Sequence, residues 1–360
     1  MRAAPARLAF LDGIRGLAAL AVAVGHTAES LFPGYYRWTL DWFVPGRAGV
    51  CAFFLVSGFL IPLSLERAPA DAGRAGALRA FAISRFARLY PMYWASLGAA
   101  LLLAALGLEV LPADFDAELP WSAVANVTMA QEAIGVPHAL GLYYTLTIEL
   151  GWYVACAALF AVGWLHATER LLWGALGGLA LVGVGVPVLL DRHVPFSTSF
   201  YVLTMLVGTA LARHAAGVLP SGRLRLVLAG TAVVAVAGAW ANYVEAPGGV
   251  DPDGALGLTA AVLPWFVAYA AVLAAYAARD RPGAFPVWLA GLGVISYSVY
   301  LLHPLVMSVA SEVTTRPWAL LGLTLVGTIA VSVVTQRLIE APGQALGRWW
   351  RRRAVTVPSG

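Results

Sequence analysis

Residues 9–31 read AFLDGIRGLAALAVAVGHTAESL. The run is apolar over most of its 23 residues, the length a helix needs to cross ~30 Å of hydrocarbon. It nevertheless holds Asp12, Arg15, His26 and Glu29. The apolar core of a cleaved signal would not be interrupted by Asp12 and Arg15, so the segment reads as a retained span. Arg15 and His26 are eleven residues apart. At about 100° per residue they fall on one helix face, about 16 Å apart along the axis. Asp12 lies one turn before Arg15, where it can pair with it. Glu29 lies one turn after His26, where a carboxylate can orient an imidazole. Ionisable groups inside a span cost several kcal/mol unless paired or wet, which makes each a functional candidate. The plainer alternative is a snorkelling Arg and a His that packs between helices.

The rest of the chain agrees with a lipid environment. Of 360 residues, 60% are hydrophobic and 12% charged, about half the charge usual for soluble domains. This excludes a disordered chain and a nucleic-acid reader, and an ordinary soluble enzyme would lack a polar shell. Apolar stretches fall near 9–31, 48–64, 88–110, 142–165, 171–190, 198–216, 223–244, 257–278, 285–310 and 317–338. The expected fold is an all-α integral membrane protein of about ten transmembrane helices. The short alternation of an outer-membrane barrel is missing.

All 23 basic residues are Arg. With both termini on one side, eighteen fall on that side and four on the other, Arg37, Arg47, Arg192 and Arg316; Arg15 is within a span. Arg collects on the cytoplasmic side, so the N- and C-termini are expected in the cytoplasm. The opposite loops are acidic, with Glu109, Asp114, Asp116 and Glu118 in one and Glu245, Asp251 and Asp253 in another. In the long loop 111–141, the half-apolar piece Trp121–Ala133 reads as interfacial or re-entrant. Residues 1–343 form the expected membrane domain, and 344–360 a basic cytoplasmic tail against anionic lipid. Cys51 and Cys156 lie in apolar runs and read as buried thiols. His138, His166, His193 and His214 fall in loops or at span ends, and no histidine pair has helical metal-ligand spacing, so no metal is expected.

Three further places hold polar groups in apolar surroundings. Arg85 and Arg88, in Ser84-Arg85-Phe86-Ala87-Arg88, share a face at the cytoplasmic start of a span. Taken alone they read as positive-inside anchors; the functional reading is a clamp for a phosphorylated ligand. Glu149 sits in the outer half of its span, with Thr145, Trp152 and Tyr153 on its face; it reads as a site carboxylate or as a helix-packing hydrogen bond. Ser296, Tyr300 and His303 form one polar stripe on an apolar helix, which serves either as interhelical glue or as part of a site.

These residues, in this order, resemble the acyltransferase-3 family of multi-pass membrane acyltransferases. The match runs over about 8–343. It is carried by Leu11-Asp12-Gly13 with Arg15 and His26, by Phe53-Phe54-Leu55-Val56-Ser57-Gly58-Phe59-Leu60, and by Arg85-x-x-Arg88 before Pro91. It continues through Thr145-Leu146-Thr147-Ile148-Glu149 with Trp152-Tyr153, Ile295-Ser296-Tyr297-Ser298 with Tyr300, His303 and Pro304, and Ile339-Glu340-Ala341-Pro342. The family often has a further Arg where this chain has Ser84.

The resemblance implies transfer of an acyl group, often acetyl, from cytoplasmic acyl-CoA to a hydroxyl of a sugar, a cell-envelope glycan or a secondary metabolite. It implies a catalytic His26 with Arg15 beside it, Arg85 and Arg88 in the donor site, and Glu149 in the catalytic or acceptor region. On this reading His26 is the general base, Glu29 or Glu149 orients it, and Arg15, Arg85 and Arg88 hold the nucleotide phosphates. Asp12, Glu29, Trp152, Tyr153, Ser296, Tyr300 and His303 are the expected substrate-side residues. The expected location is the inner (cell) membrane. The rival is a proton-coupled transporter, since intramembrane His, Glu and Arg also build proton relays. Paired broken helices in matching halves, which would favour it, are not evident.

Overall fold

The computed structural model describes residues 9–67, 73–192, 194–244 and 257–355. Arg2, Arg7, His193, Glu245, Asp251 and Asp253 lie outside them. Among the described residues, helix accounts for 84% and no strand occurs. The helices are α1 (Ala9–Leu31), α2 (Pro33–Asp41), α3 (Pro45–Glu66), α4 (Gly73–Ala105), α5 (Ala113–Ala117), α6 (Trp121–Val127), α7 (Tyr144–Ala161) and α8 (Thr168–Ala180). They continue with α9 (Val186–Leu190), α10 (Phe196–Ala215), α11 (Ser221–Ala239), α12 (Leu258–Ala278), α13 (Val287–Val313), α14 (Pro317–Thr335) and α15 (Ala341–Val355).

Eight helical segments among the described residues are long and apolar enough to cross a membrane. Three of them contain π-helical turns: Leu181–Gly185 joins α8 to α9, Trp240–Val244 follows α11, and Gln336–Glu340 joins α14 to α15. The other two expected spans, 88–110 and 198–216, fall in α4 and α10. Both are helical but more polar, α4 with Arg85, Arg88 and a Tyr-Trp cluster, α10 with Ser197-Thr198-Ser199 near its start.

The chain divides into two compact units. The first comprises Met1–Leu63 and Val162–Gly293. Its helices meet at glycines. A Cβ on Gly49 of α3 would lie 2.5 Å from the Ala18 carbonyl oxygen of α1, and one on Gly25 of α1 would lie 3.2 Å from Gly46 N. On the other face of α3, Gly58 lies beneath the Met205 carbonyl of α10 and Gly208 beneath that of Leu55. Thr209 donates to the Gly58 carbonyl at 2.9 Å. Helices in lipid gain little from hydrophobic burial against one another, so close backbone approach at small residues is what holds them. Asn242, fully buried, donates to the Gly183 and Gly238 carbonyls at 2.7 and 2.8 Å and accepts from Val194 N at 3.0 Å. It thereby ties the π-helical turn 181–185 to the end of α11 and the π-helical turn 240–244 that follows it.

The second unit comprises Ser64–Ala161 and Val294–Gly360. α15 packs along α4, with Gly343 against Pro91 and Gly347 against Ala87. Residues 344–355 of the expected tail thus belong to a helix that continues from α14. The interfacial segment 113–143 folds against α4 through hydroxyl and indole donors. Tyr93 OH donates to the Asn126 carbonyl at 2.6 Å, Tyr90 OH to Thr128 at 2.9 Å and Trp94 Nε1 to Val127 at 3.0 Å. The Asn126 side chain closes the loop, donating to Ser122 O and Pro137 O and accepting from Ala139 N. Cys51 and Cys156 are buried free thiols, as their apolar surroundings required.

Candidate functional site

In the first unit, α1 runs unbroken from Ala9 to Leu31, so Arg15 and His26 do share one face. Arg15 Nη1 lies 4.0 Å from Asp12 Oδ1, the one-turn pairing expected from their spacing. His26 is half-buried where α1 crosses α3. A Cβ on Gly46 would lie 3.3 Å from its Nε2, so glycine is what admits the ring at this crossing. Glu29 is half-buried, with Oε1 shielded and without a hydrogen-bond partner. Outside the span, burial and the charge of Glu29 push the Tyr35 hydroxyl above its ordinary pKa.

In the second unit, α4 and α7 bring together Arg85, Arg88, Glu149 and Tyr153. Tyr153 OH donates to Glu149 Oε1 at 2.7 Å. The Arg85 guanidinium lies 5.6 Å from the Tyr153 ring centre and 5.4 Å from that of Phe81. Its Nε is shielded from solvent and has no hydrogen-bond partner. Arg88 also acts on the Tyr153 hydroxyl through its charge. Trp152, one residue earlier and 5% exposed, carries an indole N–H with no hydrogen-bond partner.

The α13 stripe makes hydrogen bonds within and between helices of the second unit. Tyr300 OH bonds Thr145 Oγ1 at 2.7 Å and donates to the Leu142 carbonyl at 3.2 Å, fastening α13 to the start of α7. His303 is fully buried, and its Nδ1 bonds the Tyr300 and Val299 carbonyls at 2.8 and 3.2 Å. Pro304 has no N–H to give to Tyr300 four residues back. His303 therefore satisfies the carbonyl that the proline leaves open. Ser296 is fully buried on the same helix.

Three residues absent from the sequence-level site belong to these surroundings. Tyr297 donates to the Leu89 carbonyl at 3.0 Å and feels the charges of Glu149 and Glu340. Glu340, 4% exposed, accepts a hydrogen bond from Ser298 Oγ. The apolar run ends at 338, which placed Glu340 beyond the span; the π-helical turn carries it inward. In the first unit, Arg47 belongs to α3 and not to an outer loop. It donates to Ser197 Oγ at 2.9 Å and lies 5.9 Å from the Trp265 ring centre. Here the sequence signal was an Arg one residue before an apolar run, which reads equally well as a boundary.

What these groups can do chemically is bind an anion at the Arg85–Arg88 face of α4 and exchange a proton at His26. No curated protein and no solved structure matches the chain. The family model described as an acyltransferase domain, acyltransferase-3, matches residues 8–337, a stretch that includes Asp12, Arg15, His26, Arg85, Arg88, Glu149 and the α13 stripe. The chain therefore belongs to the acyltransferase-3 family of membrane acyltransferases.

Proposed function

We propose that this chain is an O-acyltransferase of a bacterial cell membrane. It crosses the bilayer ten times, α4 and α10 included, with both termini in the cytoplasm, and moves an acetyl or similar acyl group from acyl-CoA to a hydroxyl of a sugar, a cell-envelope glycan or a secondary metabolite. The observation that carries the donor assignment is Arg85: a guanidinium resting against the Phe81 and Tyr153 rings, with a shielded Nε lacking a hydrogen-bond partner. A buried donor without an acceptor is costly, and a phosphate oxygen is the acceptor that Arg geometry suits. Arg88 adds a second cation on the same face.

In the proposed reaction the acceptor hydroxyl oxygen attacks the thioester carbonyl carbon while His26 takes its proton. The C–S bond breaks as the tetrahedral intermediate collapses. The coenzyme leaves as thiolate and is protonated, giving ester and free thiol. Arg15, tied to Asp12, holds positive charge on the face that carries His26. Glu149, fixed by Tyr153, is a positioning residue. Trp152 offers its indole N–H to substrate, and Glu29, Ser296, Tyr300 and His303 shape the acceptor side.

Release of free thiol from acetyl-CoA, dependent on added acceptor, tests the reading. His26→Ala is expected to insert and fold normally and to lose turnover by at least about 100-fold. Arg85→Ala is expected to raise the donor KM by at least about tenfold. Wild-type turnover in the first variant, or an unchanged KM in the second, would remove the corresponding role. Solute uptake without thiol release would point to the transporter instead.

A further inference from the structure

The acyl-transfer reading leaves unused a cleft of about 700 Å³ within the first unit. Trp164, His166, Arg170, Leu171, Arg213 and Val218 contribute to its walls. It lies where α8 begins, α10 ends and α11 begins. The membrane-crossing segments Thr168–Leu190 and Ser221–Asn242 both start here, so the cleft opens at one edge of the hydrocarbon layer. Trp164 and Val218 are 64% and 67% exposed, and an outward indole at this level is a membrane-interface feature.

The polar wall is cationic. Arg213 is held in place by donating from Nε to Thr168 Oγ1 at 3.2 Å and from Nη2 to the Leu165 carbonyl at 3.3 Å. Glu169 is the acidic residue of the lining, and Arg223 engages both of its oxygens, at 2.9 and 2.7 Å. The lining thus holds the guanidiniums of Arg170 and Arg213 beside one carboxylate, which Arg223 already engages.

We propose that this cleft binds the phosphate headgroup of an anionic phospholipid, with the acyl chains leaving along the apolar flank formed by Trp164 and Leu171. Basic clefts between helices at the membrane edge suit such headgroups, and Arg matches a phosphodiester through two parallel hydrogen bonds. A soluble phosphate would use the cations but not the apolar flank, and the flank favours the lipid.

The test is native mass spectrometry of the full chain released from detergent after incubation with cardiolipin, phosphatidylglycerol or phosphatidylcholine. The anionic lipids are expected to be retained over phosphatidylcholine. Arg170→Ala should reduce their retention about fivefold, and Trp164→Ala should weaken it without abolishing the headgroup preference. Arg170 is exposed on a helix surface, and Arg170→Gln serves if the alanine variant is poorly produced. Equal retention of phosphatidylcholine, or unchanged retention in the Arg170 variants, would overturn the proposal. So would Arg170-dependent binding of inorganic pyrophosphate by a protein that shows no lipid preference.

Discussion

Asn126 is the residue on which the 113–143 segment turns. It is fully buried, and its amide serves Ser122 O, Pro137 O and Ala139 N at once. Asn126→Ala would strand the Pro137 carbonyl and the Ala139 N–H, each costing about 1–3 kcal/mol. A drop of several degrees in Tm, read by intrinsic fluorescence, is expected. His138 on the same loop gives a pH dependence. Burial holds its pKa below the ordinary 6.5, against the smaller opposing pull of Glu132, whose Oε2 lies 3.8 Å from its Nε2. The folded loop therefore prefers neutral imidazole. Its contribution is complete above pH 6.5 and is lost as pH falls through the lower folded value. Hydrogen exchange over 131–139 should accelerate on acidification in the wild type. It should show little such change in His138→Gln, while an equal change in that variant would assign the effect elsewhere.

At the level of helices, glycines decide which faces can meet. Gly58 of α3 has the Met205 carbonyl where a Cβ would go, whereas Gly151 of α7 has open space. Gly58→Ala is expected to separate α3 from α10 and to destabilise by more than about 3 kcal/mol. Gly151→Ala should be neutral, or stabilising by up to about 1 kcal/mol. Detergent-solubilised Tm values for the two variants make the comparison, and similar losses in both would show that helix composition matters here more than contact. The π-helical turn at Gln336–Glu340 works on the same scale. By inserting a wider turn it redirects the face of the helix, so that Glu340 reaches Ser298 while Gly343 and Gly347 lie on α4.

For the molecule as a whole, the uneven distribution of Arg carries the proposed orientation, and the buried cysteines make it measurable. With Cys51 and Cys156 shielded, a membrane-impermeant maleimide should react only with introduced thiols. Val218→Cys, in the turn after α10, is expected to label only once the cytoplasmic face is opened. Val313→Cys, at the end of α13, should label in intact cells. Both native positions are well exposed, at 67% and 72%. Labelling of both from the same side would refute the ten-span topology.

Composition and spacing alone determined that this chain is helical and membrane-embedded, that Arg15 and His26 share a face, and that Cys51 and Cys156 are buried. These are properties of apolar length and of the fixed helical repeat, which one segment carries without its neighbours. The six motifs in order also determined the family. Tertiary structure decided the rest. It placed Arg47 within the first unit and Glu340 within the second, because each lies beside the end of an apolar run, where the hydropathy of a segment does not say which way its last turn faces. It bound His303 to the carbonyl left open by Pro304, a role that depends on a backbone acceptor and not on helical spacing. It also set Arg85 against the Phe81 and Tyr153 rings, since the partner of a buried charge is chosen by how helices distant in sequence pack.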